Sequence, residues 1–132
     1  LTREIAGFDG ESYKMAGVIP ATCTMQPKLE TVGYVEAFSA GDNLLCAAGD
    51  SLRGHEFHFS RMIPDDPAAF PWAFRFKRVR TGVEYNGGFA LDNVLASYLH
   101  LNFAGHEQAA ARFIDACRRY KEQRLVLKRT EG

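Results

Sequence analysis

The sequence predicts an α/β fold, and three observations carry that reading. Short alternating stretches fill most of the chain before Gly105, an apolar run at Val94–Leu99 leads straight into His100, and helical spacing of apolar residues takes over afterwards. In a complete domain, many strands followed by one helix would suggest α+β. In a portion of a larger domain, the remaining helices of an α/β sheet would lie upstream.

The elements follow in order. Leu1-Thr2-Arg3-Glu4-Ile5 lacks an initiator Met and reads as the middle of an element, which predicts a chain cut from a longer one. Gly7-Phe8-Asp9-Gly10 is a turn, and Met15–Met25 is an extended segment broken at Pro20. Glu30–Phe38 alternates as a strand, Ala40-Gly41-Asp42-Asn43 turns the chain, and Leu44–Ala48 predicts a further strand holding Cys46. Arg53–Met62 contains the densest polar cluster, and Ile63–Pro71, with three of the five prolines, predicts a loop. Trp72–Val79 alternates Trp72, Phe74 and Phe76 against Arg75 and Lys77, as a half-exposed strand does. Val94–Leu99 predicts a core strand. Ala110, Phe113, Ile114 and Cys117 then share one helical face, with Glu107 in the first turn and Arg118 and Arg119 in the last.

Composition bounds the function. The chain has 132 residues, 46% hydrophobic and 24% charged, so it can bury one core. Lys plus Arg and Asp plus Glu each number 16, which gives no basic surface for nucleic acid. Arg118–Lys128 is charge-dense and reads as a solvated helix end or linker. No apolar run approaches the ~18 residues of a membrane span. Cys23, Cys46 and Cys117 form no C-x-x-C pair, so neither a zinc ribbon nor a disulfide framework is indicated and a reducing cytoplasm fits best.

Chemistry concentrates in two places. His100 ends a buried strand and precedes a helix, where α/β enzymes put ligands and catalytic groups. A neutral imidazole there would act as general base toward a thiol or hydroxyl; the competing reading is a histidine that caps a strand. In Gly54-His55-Glu56-Phe57-His58-Phe59-Ser60, strand alternation puts His55, Phe57 and Phe59 on one face and the polar row Glu56, His58 and Ser60 on the other. That row would orient a histidine or hold a polar substrate, unless it is simply an exposed strand face. His55 and His58 are three apart in a strand-like run, which does not match the helical H-E-x-x-H zinc motif, and no metal is expected. None of the cysteines has the flanking glycines of a nucleophile elbow, so all three read as small core residues. No G-x-x-x-x-G-K-[ST] phosphate loop occurs.

The succession MAGVIP, VGYVEA, LRGHEFHFS and LASYLHLNF resembles the C-terminal half of the cobyrinic acid a,c-diamide synthase family, with RGHEFHFS its most specific piece. The resemblance runs from about Leu1 to Tyr120, so residues 1–120 are expected to form the C-terminal part of a flavodoxin-like, class I glutamine amidotransferase domain and 121–132 a charged tail. It implies a longer enzyme. An N-terminal P-loop domain would use ATP and Mg2+ to activate the a and c carboxylates of a corrinoid, and the amidotransferase domain would hydrolyse glutamine. His100, in Ser97-Tyr98-Leu99-His100, matches the family's catalytic histidine. The family's nucleophilic cysteine, in a Glu-Cys-Gly-Gly type turn, would lie just upstream of Leu1, so the chain alone is expected to be inactive, and the surface left bare would favour self-association. Asn102 stands where many relatives have a second histidine. It cannot supply the carboxylate that other amidotransferases place two residues after theirs, so Glu56 is the candidate to orient His100, with His58 and Ser60 beside it. The alternatives are a non-catalytic binding module of the same fold, or amidation of another tetrapyrrole such as hydrogenobyrinate or nickel-sirohydrochlorin.

Overall fold

A computed structural model describes residues 1–130, with side chains described through Leu127. Among the described residues the chain forms β1 (Thr2–Ala6), β2 (Ser12–Lys14), β3 (Ile19–Met25), β4 (Thr31–Ser39), β5 (Ser51–His58), β6 (Ser60–Pro64), β7 (Trp72–Arg78), β8 (Glu84–Leu91), β9 (Val94–Ala96), β10 (Leu99–His100) and α1 (Glu107–Thr130). The α/β class holds in a strand-rich form.

A four-stranded sheet runs in the order β2-β1-β3-β6, and a six-stranded sheet in the order β10-β5-β4-β7-β8-β9. β1 and β3 pair in parallel, while the six-stranded sheet is antiparallel throughout. Pro20 is tolerated inside β3 because the register with β1 slips there: Thr2 faces Ile19 but Glu4 faces Thr22.

The six-stranded sheet rolls on itself. Its edge strands β9 and β10 are joined by Ser97 and Tyr98 alone. Five strand intervals of ~4.8 Å would separate the edges of a flat sheet by ~24 Å. Ala96 to Leu99, three Cα steps of ~3.8 Å, reaches no more than ~11 Å. The run Val94–Leu99 is therefore two short edge strands rather than one core strand, broken where the chain crosses the seam.

Inside the roll, Val35, Ala37, Leu52, Phe74 and Phe76 form a core closed by Cys46 and by Ala109 of α1. A second cluster of Ile19, Ala21, Phe70 and Phe89 joins the two sheets. Each buried Phe contributes ~1.5–3 kcal/mol. The alternation expected in β7 is present, with Phe74 and Phe76 buried between exposed Arg75 and Lys77.

Three further expectations need correction. Leu44–Ala48 is a loop, because acidic and amide side chains take the backbone donors a strand would need. Asn43 Oδ1 accepts from the N–H groups of Leu45 and Cys46 at 2.9 and 3.0 Å, Asp50 from Ala47 at 2.8 Å and Asp42 from Ala48 at 2.9 Å. Ile63 and Pro64 belong to β6, paired with Thr22 and Ala21, so the loop starts later than the prolines suggest. Cys117 is exposed: of the apolar helix face only its first turn, at Ala109, is buried, and Phe113 and Ile114 remain open.

Candidate active site

His100 occupies the last position of β10, where the two-residue strand lies against β5 with Leu99 opposite Glu56 and His100 opposite His55. Antiparallel partners share a face. His100 therefore lies on the outer face with His55, and Tyr34 of β4 completes the same cross-strand row. The rings stand 5.2 Å apart for Tyr34 and His55, edge to face, and 6.3 Å apart for His55 and His100. The His100 imidazole is exposed and open to a group arriving from outside this chain.

Of the polar row, Glu56 and His58 are inside the roll, as alternation along β5 requires, while Ser60 opens β6 of the four-stranded sheet. Glu56 is only 3% exposed. Its carboxylate accepts a hydrogen bond from the Tyr85 hydroxyl, and its other oxygen is 4.0 Å from His58 Nε2. Burial first, and then the bond to Glu56 and its charge, push Tyr85 well above the ordinary tyrosine range. The Arg78 guanidinium lies 5.5 Å from the Tyr85 ring centre and donates to Thr31 Oγ1 at 3.3 Å, which places a cation beside the Tyr85 ring. Nδ1 of His58 lies 2.8 Å from the Ser60 carbonyl, and the His58 ring stacks on Tyr98 at 3.9 Å. Ser60 Oγ is 2.5 Å from the Tyr98 hydroxyl. The expected partnership of Glu56 with His100 is not made: Leu99 takes the position opposite Glu56, so the carboxylate and the His100 imidazole point to opposite faces of the sheet. The row instead ties together the strands beneath His100.

Beyond His100 the chain is held by a residue the sequence did not single out. The Arg53 N–H donates to His106 Nε2 at 3.1 Å, so Nε2 is the acceptor; Nδ1, 3.0 Å from the Asn102 carbonyl, carries the proton and donates it. Asn102 does not approach the imidazole of His100 as a carboxylate would. Its side chain accepts from the Ala104 N–H at 3.0 Å and caps the 3₁₀ turn Phe103–Gly105. Tyr98, Tyr85 and His106 were all missed, because each gains its role from a contact distant in sequence. Among the described residues no three His, Cys, Asp or Glu side chains gather as a metal site.

Residues 1–108 match the CobB/CobQ-like glutamine amidotransferase domain. The cobyrinate a,c-diamide synthase of Salmonella typhimurium is 39% identical over 113 residues, covering 83% of this chain and 24% of that protein. The enzyme of the same name from Thermoplasma volcanium is 36% identical over 126 residues, 96% of this chain and 27% of its own. That from Methanothermobacter thermautotrophicus is 40% identical over 103 residues, 78% of this chain and 23% of its own. The chain thus spans about a quarter of the length of the curated relatives it matches. With its α/β fold and a match covering residues 1–108, the chain belongs to the CobB/CobQ-like glutamine amidotransferase domain family.

Proposed function

We propose that residues 1–120 are the C-terminal part of the glutaminase domain of an ATP-dependent cobyrinic acid a,c-diamide synthase, with His100 as its general base and 121–132 as a charged tail. The observation that carries this reading is the exposed imidazole of His100, fixed at the end of an edge strand inside the matched region. α1 runs across the boundary at residue 120.

In the proposed reaction the nucleophile is a cysteine outside this chain. His100 takes the thiol proton, and the thiolate attacks the side-chain amide carbon of glutamine. The imidazolium then protonates the departing ammonia, leaving a glutamyl thioester. Water, deprotonated by the same imidazole, hydrolyses the thioester to glutamate and restores the thiol. The ammonia would go to the a and c carboxylates of a corrinoid. In this proposal ATP and Mg2+ act in the N-terminal P-loop domain that the resemblance implies, since no G-x-x-x-x-G-K-[ST] loop occurs in this sequence, and no step here is derived through either. The polar row acts beneath the site, as support for the strands carrying His100.

No helix among the described residues is long and apolar enough to cross a membrane. A cytoplasmic enzyme is the setting the proposed biosynthetic role implies.

The test is glutamate release from glutamine, measured for this chain and for a version extended upstream through the expected cysteine. Activity confined to the extended protein and abolished by His100→Ala supports the reading. Activity in the short chain moves the nucleophile to one of its own cysteines, and silence in both favours a binding module.

A further inference from the structure

β10 is too short to place His100 by itself. It contains two residues, pairs with β5 on one side, and is reached across the seam of a rolled sheet. Such an edge has few ladder bonds to resist sliding or fraying. What precedes it, however, is tied down. The Tyr98 hydroxyl lies 2.5 Å from Ser60 Oγ and 3.6 Å from Cys23 Sγ. These partners belong to β6 and β3 of the four-stranded sheet. The Tyr98 ring lies nearly parallel to that of His58, with 13° between the planes, and His58 belongs to the six-stranded sheet. His58 is in turn held between the Ser60 carbonyl and the buried Glu56.

The geometry points to Tyr98 as the positioning residue for His100: stacked on His58 and bonded to Ser60 and Cys23, it fixes the seam two residues before the imidazole. This rests on the reading of His100 as the general base. Tyr98 touches neither His100 nor any reacting atom. It acts through the backbone, by removing the freedom of Ser97–Leu99 to carry His100 away from its thiol. Burial raises the Tyr98 pKa to about 12, as expected of a hydroxyl enclosed between the two sheets.

The first test is made on the chain itself by NMR of its histidine rings. Tyr98→Phe, which keeps the stacking ring and deletes the hydroxyl, is expected to shift or broaden the His100 Cε1–H signal while leaving that of His106 in place. An unchanged His100 signal overturns the proposal whatever the activity. In the upstream-extended protein, Tyr98→Phe is expected to lower kcat for glutamate release ~10-fold with KM within about two-fold, because misplaced catalytic groups cost rate before affinity. Should Tyr98→Phe fail to fold, Ser60→Ala, which removes one partner and keeps the ring, is expected to act in the same direction, and no change in either readout overturns the assignment. Tyr13→Phe, at an exposed site in β2, serves as the control. If His100→Ala abolishes activity and Tyr98→Phe keeps it, the positioning role alone is wrong. If His100→Ala keeps activity, the general-base reading fails, and the ring signals still decide whether Tyr98 holds His100.

Discussion

Gly54 lies against the backbone of His100: a Cβ there would stand 2.6 Å from the His100 carbonyl oxygen and 2.6 Å from Leu99 Cδ1. A carbonyl in a strand cannot swing aside as a flexible side chain does, so only glycine lets β10 approach β5 this closely. Gly54→Ala is expected to push β10 outward, at ~1–3 kcal/mol of stability as an overpacked contact. In the extended protein a displacement near 1 Å would cost ~100-fold in kcat. Denaturant unfolding alongside steady-state kinetics checks both; wild-type kcat in Gly54→Ala would mean that β10 tolerates the shift.

The buried carboxylate of Glu56 has the Tyr85 hydroxyl as its donor. Glu56→Ala strands that hydroxyl without an acceptor, which costs ~1–3 kcal/mol. Glu56→Gln keeps an acceptor of the same shape and should cost less. Urea midpoints for the two variants rank them, and an equal loss in both would assign the effect to the charge rather than to the bond.

Much of this arrangement is legible in the sequence. Alternation along Gly54–Ser60 puts Glu56, His58 and Ser60 on one face; Glu56 and His58 do line the inside of the roll, because side-chain direction in a strand follows a period of two, whereas Ser60 has already passed into β6 of the other sheet. The turn at Asp42–Asn43 was readable, but the loop after it was not. Leu44–Ala48 is apolar enough for a strand, and only side-chain acceptors from Asp42, Asn43 and Asp50 make it a brace for Cys46. Tyr98 could not be read at all. Its partners lie 38 and 75 residues away in sequence, at Ser60 and Cys23, and no periodicity reports contacts across two sheets.

Tyr98 should also contribute to an alkaline limit, together with Tyr85, whose pKa is raised further. Burial raises its pKa in the folded chain to about 12 from an ordinary value of 10.0. A raised pKa means that the folded state binds the phenolic proton more tightly than the unfolded one. The corresponding stability is fully present below pH ~10 and is lost as pH rises from there through the folded value. Tyr98→Phe should therefore flatten the fall in melting temperature between pH ~10 and ~12. An alkaline melting profile identical to wild type would show that another group governs it.

The three thiols should differ sharply in reactivity. Cys117 is exposed on α1, Cys23 is half-buried, and Cys46 is buried in the core. Burial, reinforced by the charge of Asp50, raises the Cys46 pKa and so lowers its thiolate fraction at pH 8. An aromatic disulfide reagent should label Cys117 first and Cys46 last, its rate limited by opening of the loop at 42–50. Rapid labelling of Cys46, followed by mass spectrometry of the tryptic peptides, would show that this loop opens freely.

The outer face of the rolled sheet predicts how the chain behaves at high concentration. Val32 of β4 and Phe57 of β5 sit directly opposite each other, 53% and 49% exposed, and Tyr34 beside them is 63% exposed. Adjacent apolar side chains in one cross-strand patch are the kind of surface that soluble monomers rarely leave uncovered. Two copies can cover each other's patch, since a two-fold contact needs only one self-complementary surface. Sedimentation velocity should show a weight-average coefficient that rises with protein concentration, and the pair Val32→Lys and Phe57→Lys should abolish the rise through like charges placed opposite one another. A single, cooperatively melting species whose coefficient is independent of concentration would mean that the patch is stable in water uncovered, and association would then have to be sought on the open apolar face of α1.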